Sequence, residues 1–433
     1  MVKPADEESN AFFRDVYPFV DVPHVGLIDD RELAENLSKI YFTDTTLRDG
    51  QQGWRVFTIK EHERIYELLA EIGKAIVGTE VFLYTSKDRE VVRRLLSYGY
   101  EWPKLIAWIR AMHSDLQLVI DARLDEAVIL TSISDYHIKY KFNSTREEVT
   151  RKYLEVIEKA LNHGITVKAS LEDITRADLH GLVIPFVRKL MELSEKYGVQ
   201  VKIKVCDTLG VGLPFYEAPL PRSIPRIARA LRGAGVSQEY MEFHGHNDLG
   251  LVVANHLSAW LYGIASANCT LLGIGERAGN CPLDIMAVHY AGLRGSNDIN
   301  LKALAKVIEV FDEMGYKGAE HYPIVGKNAF RTKAGIHVDG LMKNPEVYLP
   351  FDPMKVLGRP YSVAITPYAG RSAVILWIMN HLRYDKLSKD DERVTAVYNE
   401  IVEYFNRTDR TEPLRDEETA NFIRKYFPEL FER

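Results

Sequence analysis

Cysteine is scarce in this sequence of 433 residues, with only Cys206, Cys269 and Cys281 present. So few thiols cannot form the disulfide framework that stabilises small secreted domains. The chain also lacks any run of about 18 uninterrupted apolar residues, so no membrane-spanning helix is expected. Its first residues, MVKPADEESN, lack the apolar core of a secretory signal peptide. These absences together predict a cytoplasmic protein.

Neither sign of charge is in large excess, since 55 Lys and Arg stand against 61 Asp and Glu. No basic run is long enough to follow a phosphate backbone, so nucleic-acid binding is not expected. The apolar share of 46% is ordinary for a globular chain with a sizeable core. The length of 433 residues suits two or three domains, or one (β/α)8 barrel of about 250 residues with additions.

Residues 41–295 alternate between short β-branched or apolar runs and stretches of helical periodicity. The strand candidates are KIYFTDTTL, AIVGTEVFLY, KLIAWIRA, EAVILTSIS, ITVKASLED, VKIKVCDTL, YMEFHGHND and ANCTLLGIGE. Strict alternation indicates an α/β fold with a parallel sheet, and eight units favour a closed TIM (β/α)8 barrel. The alternative is an open doubly wound sheet, which needs a phosphate-binding glycine turn after its first strand. TTLRDGQQ is not such a turn.

The same patterns divide the chain into four predicted segments. Residues 1–40 form an N-terminal arm and residues 41–295 the catalytic barrel. Residues 296–380 form a post-barrel subdomain. Residues 381–433 form a C-terminal helical tail, with amphipathic helices predicted in DERVTAVYNEIVEYFN and EETANFIRKYF.

Polar residues gather at the C-terminal ends of the predicted strands, which share one face in a barrel. They are Arg48, Asp49, Glu80, Arg110, Ser134, His137, Glu172, Asp207, Thr208, His244 and His246. Core packing does not explain a polar cluster at nearly every strand end. We therefore expect this face to hold the chemistry.

The motif HGHND places His244 and His246 two residues apart, where strand side chains point to the same side. Alone, the pair suits two hydrogen-bonded strand histidines as well as two metal ligands. Asp49 after the first strand and Asn280 after the last add two oxygen donors, and these strands are close neighbours in a closed barrel. Two nitrogens and two oxygens suit Mg, Mn, Zn or Co, with positions left for substrate.

Three motifs resemble, in order, those of the acyl-CoA-condensing branch of the DRE-TIM metallolyases: FTDTTLRDGQQ, FHGHNDLGLVVAN and GIGERAGN. That branch contains isopropylmalate, citramalate, homocitrate and Re-type citrate synthases. The resemblance implies a TIM barrel, acetyl-CoA as co-substrate and a homodimer. It also implies a divalent cation held by Asp49, His244, His246 and Asn280.

The resemblance further implies roles for five side chains. Arg48 would face the oxyanion that forms at the keto carbon, although it could simply pair with Asp49. Glu172 and Thr208 would grip the 2-oxo acid. His337 and Tyr348, in the post-barrel subdomain, would help to remove a proton from the acetyl-CoA methyl group.

Several stretches resemble Re-type citrate synthases more closely than isopropylmalate synthases: RDGQQ, EVFLYTSKD, WIRA, SDYHI, EDITRAD, PLPRSIPR and SAWLYG. Those enzymes join acetyl-CoA to oxaloacetate, whose second carboxylate needs a cation or several donors. Arg110, His137 and Arg176 are the candidates, unless each is paired internally. LGLVVAN, in contrast, looks more like the isopropylmalate group.

The predicted function is therefore a metal-dependent Claisen condensation of acetyl-CoA with a 2-oxo acid, with release of CoA. Oxaloacetate giving citrate is the first choice, and 2-oxoisovalerate or 2-oxoglutarate are the alternatives. A lyase running the same site toward cleavage is less favoured, because Leu271 stands where hydroxymethylglutaryl-CoA lyase has a cysteine. A non-catalytic metabolite-binding barrel is disfavoured because Arg48, Asp49 and both histidines are all present.

Overall fold

The computed structural model describes residues 28–295 and 298–432. They form two compact units, which divide between Ala303 and Leu304. Most of the predicted N-terminal arm, residues 1–27, lies outside the described residues. No helix in the described part of the chain combines the length and hydropathy that crossing a membrane requires.

Eight parallel strands close into a barrel in the first unit, in sequential order, with β1 paired to both β2 and β8. Seven of these strands lie within the predicted runs, and β8 begins one residue before its run. This confirms the TIM barrel, and the closure of β1 onto β8 excludes the open doubly wound sheet. The strands are β1 Tyr41–Asp44, β2 Ile76–Val81, β3 Lys104–Arg110, β4 Glu126–Ser132, β5 Thr166–Glu172, β6 Val201–Asp207, β7 Met241–Gly245 and β8 Ser266–Cys269.

The helices of this unit begin and end at recognisable sequence signals. Thr58 and Glu61 form a capping box at the start of α3, as do Thr85 and Asp88 at α4. Gly198, with a φ of 63°, ends α7. The helices are α1 Asp30–Ser38, α2 Gln51–Gly53, α3 Ile59–Ile72, α4 Ser86–Ser97, α5 His113–Ala122, α6 Arg146–Asn162, α7 Ile184–Tyr197, α8 Ile224–Gly233, α9 Val252–Leu261 and α10 Leu283–Arg294.

Helix α1 lies inside the segment expected to be an irregular arm. The Asp29 carboxylate caps it by accepting the Glu32 N–H at 2.8 Å. The Asn36 amide donates to the Leu261 carbonyl at 2.9 Å, and the Gln238 amide donates to the Asn36 carbonyl at 2.8 Å. These bonds attach α1 to the barrel unit.

Four charged side chains fill part of the barrel interior: Glu80 on β2, Lys168 on β5, Lys204 on β6 and Glu242 on β7. Lys168 Nζ lies 2.6 Å from Glu242 Oε2, and Lys204 Nζ lies 3.3 Å from Glu242 Oε1. Lys204 also pairs with Glu80. Burial raises the pKa of Glu242, but Lys168 and Lys204 outweigh burial and hold this pKa at about 2. The interior charges are therefore paired and fixed.

The second unit is mainly helical. Its core is built on α14, whose Trp377 and Ile378 are buried with Val394 and Phe405 of α15 and Ile423 of α16. Helices α15 and α16 are the two predicted from the C-terminal periodicity, which confirms the helical extension. The elements are α11 Ala305–Glu313, β9 Arg331–Thr332, α12 Gly335–Lys343, α13 Pro353–Leu357, β10 Ser362–Val363, α14 Gly370–Leu382, α15 Glu392–Thr408 and α16 Asp416–Tyr426.

Candidate active site

A π-helical turn, Thr46–Gly50, follows β1 and holds Arg48 and Asp49 at the C-terminal end of the barrel. Asp44, the last residue of β1, fixes the turn, because its carboxylate accepts the Thr46 N–H at 3.0 Å and the Thr79 hydroxyl at 2.7 Å. Burial raises the pKa of Asp44 to about 7. The turn therefore places two charged side chains on a rigid support.

The two histidines of HGHND converge on Asp49. His244 Nε2 lies 3.6 Å and His246 Nε2 lies 3.8 Å from Asp49 Oδ2. Burial lowers the pKa of both imidazoles, most strongly that of His244, where the charge of Lys204 adds to the effect. Both rings are therefore held in the neutral form, the form that binds cations.

Asn268 of β8 determines which nitrogen of His244 is protonated. The Asn268 amide nitrogen donates to Thr43 Oγ1 at 2.9 Å, so its oxygen is the acceptor in the 2.7 Å contact with His244 Nδ1. His244 Nδ1 then carries the proton and the Nε2 lone pair points toward Asp49. Metal-binding histidines usually have such an outer partner.

Asn280 completes the group. Its amide nitrogen donates to Asp49 Oδ2 at 2.8 Å, while its oxygen is buried and has no hydrogen-bond partner among the described residues. Gly275 makes room for it, because a Cβ there would lie 1.6 Å from Asn280 Oδ1. A buried amide oxygen without a partner is costly, and turning the side-chain amide over would bring this oxygen toward Asp49, where a cation would satisfy it.

The structure thus brings the four predicted metal ligands together. Ligand atoms of Asp49, His244 and His246 all lie within 4.8 Å of one another. Burial raises the pKa of Asp49, but Arg48 and the two histidines outweigh burial and lower it, so the carboxylate is ionised. Neutral imidazoles, a carboxylate and an amide oxygen fit a divalent cation.

Arg48 is buried beside this group and is held from two sides. Its guanidinium donates twice to Glu80 Oε2, at 3.1 and 2.9 Å, and lies 5.3 Å from the centre of the Trp108 ring. Its Nη1 atom is 3.4 Å from Asp49 Oδ2. The predicted pairing of Arg48 with Asp49 is therefore present, but the stronger partner is Glu80, so the cation is rigidly placed.

Glu172, the last residue of β5, binds three cationic or polar partners. His137 Nδ1 lies 3.0 Å and Lys141 Nζ 2.8 Å from Glu172 Oε2, and the Ser132 hydroxyl also donates to that oxygen. Burial raises the pKa of Glu172, but His137 and Lys141 outweigh burial and bring it to about 2. Lys141 was not predicted from the sequence.

The remaining predicted acceptor residues have close partners of their own. Arg110 pairs with Asp115 through two bonds, at 2.8 and 2.9 Å. Arg176 pairs with Asp173 at 2.7 Å, and Thr208 Oγ1 accepts the Asp173 N–H at 2.8 Å. These pairings are the internal alternative that the sequence left open, and substrate binding by Arg110 and Arg176 stays a prediction.

A cavity of about 220 Å³ opens over the ligand group. It reaches Glu172 and Thr208, but its lining does not include Arg110, His137 or Arg176. The lining residues are Arg48, Asp49, Gln52, Trp108, Leu130, Lys141, Ser170, Glu172, Lys204, Cys206, Thr208, His244, His246, Glu276 and Arg277.

Arg277, in the GIGERAGN motif, is a further lining cation that was not predicted from the sequence. It pairs with Asp248 at 2.7 Å and donates to the Thr208 carbonyl at 2.5 Å, which ties the loop after β8 to the loops after β6 and β7. The sequence did offer a signal: HGHND contains an acid, Asp248, and GIGERAGN contains a base, Arg277.

His337 and Tyr348 lie together in the second unit. Both are exposed, and their ring centres are 4.4 Å apart. Gly340 permits this contact, because a Cβ there would lie 2.5 Å from the Tyr348 ring. The two side chains that the resemblance assigns to the same step are therefore in contact within this unit.

The chain belongs to the HMGL-like family, whose model matches residues 39–311. The model described as homocitrate synthase post-HMGL domain-like matches residues 324–409. Among curated relatives, the chain is 40% identical to the citrate (Re)-synthase of Clostridium kluyveri, over 98% of this chain and 95% of that protein. These findings confirm the resemblance: the chain is an enzyme of the acetyl-CoA-dependent condensing synthases, which are metal-dependent acyltransferases that act on 2-oxo acids.

Other relatives show how widely the branch varies. The chain is 36% identical to the 2-phosphinomethylmalate synthase of Streptomyces hygroscopicus, over 89% of this chain and 90% of that protein. It is 34% identical to the probable 2-isopropylmalate synthase of Ignicoccus hospitalis, over 79% and 83%. Hydroxymethylglutaryl-CoA lyase from Pseudomonas aeruginosa shares the fold, with a TM-score of 0.53 and 17% identity over 65% of this chain and 94% of that one.

Proposed function

We propose that the chain condenses acetyl-CoA with oxaloacetate to give citrate and CoA. The observation that supports oxaloacetate is the lining of the cavity. Among the described lining residues, Leu130 is the only aliphatic side chain. Four others are cations: Arg48, Lys141, Lys204 and Arg277. Such a lining suits an acid with two carboxylates, whereas a branched apolar acid needs an apolar pocket.

Asp49, His244, His246 and Asn280 are proposed to hold a divalent cation, chosen from Mg, Mn, Zn and Co. A cation bound there would polarise the keto carbonyl of the acceptor. The rigid guanidinium of Arg48 stabilises the negative charge that develops on the keto oxygen during attack. Because Glu80 and Trp108 already hold Arg48, this stabilisation needs little reorganisation.

The nucleophile is the enolate of acetyl-CoA, formed when a base removes a methyl proton. We assign this step to His337, with Tyr348 beside it, following the resemblance of AGIHVDG and VYLPFDP to condensing synthases. The enolate carbon attacks the keto carbon, and the oxygen that becomes the hydroxyl accepts a proton. Water then hydrolyses the thioester, which releases CoA.

Lys141 is the proposed partner of the far carboxylate of oxaloacetate. Lys141 is a lining residue of the cavity, and its side chain is 40% exposed, so it can reach a ligand. Its bond to Glu172 holds it in place and leaves further N–H donors available. Glu172 is proposed to position Lys141 and His137, which it contacts through Oε2.

A second candidate is condensation with 2-oxoisovalerate to give 2-isopropylmalate. The observation that favours it is the sequence LGLVVAN at the start of α9, which looks more like isopropylmalate synthases. Condensation with 2-oxoglutarate is the other alternative in the branch. Both use the same ligand group and differ from the first candidate in the side chain of the acceptor alone.

The test is CoA release from acetyl-CoA with oxaloacetate after the protein has been stripped of metal. We expect no release until Mg²⁺, Mn²⁺, Zn²⁺ or Co²⁺ is restored, and citrate as the product by mass spectrometry. His244→Ala should bind less metal and release no CoA at any of these metals. Full activity of the stripped protein, or of His244→Ala, would refute the proposed metal site.

The homodimer, the cytoplasmic location and the boundaries at residues 40, 295 and 380 stay predictions of the sequence. Light scattering coupled to size-exclusion chromatography measures the first. A monomer at micromolar concentration would contradict it.

A further inference from the structure

Three side chains with metal-binding atoms lie together outside the lining of the catalytic cavity. His256 is in α9, Cys269 is the last residue of β8, and Cys281 directly follows Asn280. Each is fully buried, with 0% exposure. Their imidazole nitrogen and sulfur atoms all lie within 4.8 Å of one another. None of the steps proposed for the condensation uses them.

The His256 imidazole is prepared to bind a ligand. Its Nδ1 atom lies 2.8 Å from the Val252 carbonyl oxygen, which can only accept, so Nδ1 carries the proton. The Nε2 atom therefore presents a lone pair, and it is buried with no hydrogen-bond partner among the described residues. The Phe243 ring, with its centre 4.6 Å away, packs edge-on against the imidazole. An oriented, unsatisfied imidazole nitrogen is what a metal site requires.

The separations suit a tetrahedral cation. At a metal–sulfur bond of about 2.3 Å, two thiolates of one tetrahedral site stand about 3.8 Å apart. The three ligand atoms all lie within 4.8 Å of one another, so small side-chain rotations would bring them to the separations of such a site. Two sulfurs and one nitrogen select a soft or borderline cation of the Zn²⁺ class, whereas the oxygen-containing group at Asp49 also suits hard cations.

The three residues also join elements that carry the catalytic group. The Cys281 carbonyl accepts the Thr270 N–H at 2.9 Å, so β8 and the loop that ends in Asn280 already touch. A cation held by Cys269, Cys281 and His256 would fix that loop to α9. The Asn280 amide, next in the chain to Cys281, would be held with it.

We propose that His256, Cys269 and Cys281 bind a second, thiophilic cation of the Zn²⁺ class in a buried site that positions the loop bearing Asn280. The probe is Co²⁺, added to the full metal-free chain, because cobalt bound by thiolates gives an intense near-ultraviolet charge-transfer band. We expect two equivalents of Co²⁺ to bind, with the band belonging to one of them.

Variants separate the two sites. Cys281→Ser and His256→Gln should each lose one equivalent of Co²⁺, and Cys281→Ser should weaken the band. His244→Ala should lose the other equivalent and keep the band. Cys206→Ser, which removes the third buried thiol, should leave both equivalents and the band unchanged. Circular dichroism of each variant checks that it is folded.

Measurements on the unaltered protein keep the proposal testable even if a cysteine variant fails to fold. X-ray absorption of the zinc-loaded chain should give Zn–S distances of about 2.3 Å. Three outcomes would overturn the proposal: one equivalent of Co²⁺ without a thiolate band, a zinc shell without sulfur, or an intact mass lower by one pair of hydrogens. The last would identify Cys269 and Cys281 as a disulfide.

Discussion

Asn268 acts on the candidate metal site through His244 and without being a ligand itself. Because it accepts the Nδ1 proton of His244 at 2.7 Å, Asn268→Ala should weaken Mn²⁺ binding by about 10- to 100-fold. Calorimetric titration of the metal-free protein measures this. Asn255→Ala is the control, since Asn255 is a buried amide that donates to the Gly212 carbonyl at 3.0 Å. Equal affinity in Asn268→Ala and the unaltered protein would contradict the positioning role.

Lys141 is predicted to make the enzyme prefer oxaloacetate to 2-oxoisovalerate. Loss of one charge-assisted hydrogen bond, worth about 1.5–3 kcal/mol, should lower kcat/KM for oxaloacetate by about 10- to 150-fold in Lys141→Met. The value for 2-oxoisovalerate should change little. Steady-state CoA release with each acid measures both.

The matched control for that experiment is Lys139→Met, in the same π-helical turn His137–Lys141. Lys139 is exposed and lies against the Tyr140 ring, at 5.2 Å from its centre. Lys139→Met should leave kcat/KM for both acids unchanged. An equal loss for both acids in Lys141→Met would assign Lys141 a structural role instead.

The sequence predicted that the four candidate metal ligands would lie together, because they follow strand ends, which a barrel gathers on one face. It missed Asn268 and Lys204 because their roles arise only when distant strands close around them. Arg110 and Arg176 were placed on the correct face, yet each has an acid nearby in sequence, Asp115 and Asp173. Such nearby acids are the signal for internal pairing.

The buried charges of β2, β5, β6 and β7 determine how much a substitution inside the barrel lowers the free energy of unfolding. Lys168→Met leaves Glu242 without its closest cationic partner, so we expect a loss of about 3–5 kcal/mol in the free energy of unfolding. Lys168→Met combined with Glu242→Gln should recover part of that loss, because no unpaired charge remains at Glu242. Urea unfolding followed by circular dichroism measures both.

The surface pair Arg93–Glu90 is the control for that comparison. Its charged atoms lie 2.7 Å apart, but the Arg93 side chain is 69% exposed, so solvent screens the pair and Arg93→Met should leave the midpoint of urea unfolding nearly unchanged. A Lys168→Met protein as stable as Arg93→Met would show that the buried network contributes nothing.

The fold was predictable from the sequence wherever one face of an element is apolar. Helices α15 and α16 follow that rule, and the eight barrel strands were recognisable as short β-branched or apolar runs between helical stretches. Helix α14 was missed because GRSAVILWIMNHL is apolar on every side, and a helix buried all round shows no periodic face. Helix α1 was missed because most of its nine residues are polar. Only Leu33, Asn36 and Leu37 are buried, which is too short an apolar pattern to recognise.

At the scale of the whole molecule, the proposed base, His337, belongs to the second unit, whereas the candidate metal ligands belong to the barrel unit. His337→Ala should lower kcat by about 10²- to 10⁴-fold, the usual contribution of a general base, and leave Mn²⁺ affinity unchanged. His321→Ala, at another exposed histidine of the second unit, is the control and should keep kcat. Turnover and calorimetric titration measure the two effects. Unchanged turnover in His337→Ala would show that another residue is the base.

The most direct test of the central claim is a competition among acceptors for one enzyme. Equal concentrations of oxaloacetate, 2-oxoisovalerate, 2-oxoglutarate and pyruvate are mixed with acetyl-CoA and Mn²⁺, and the early products are measured by mass spectrometry. Their ratio equals the ratio of kcat/KM values. The account predicts citrate in excess of every other product by about 100-fold or more. A majority of 2-isopropylmalate would contradict the oxaloacetate assignment, and no product from any acid would contradict the reaction itself.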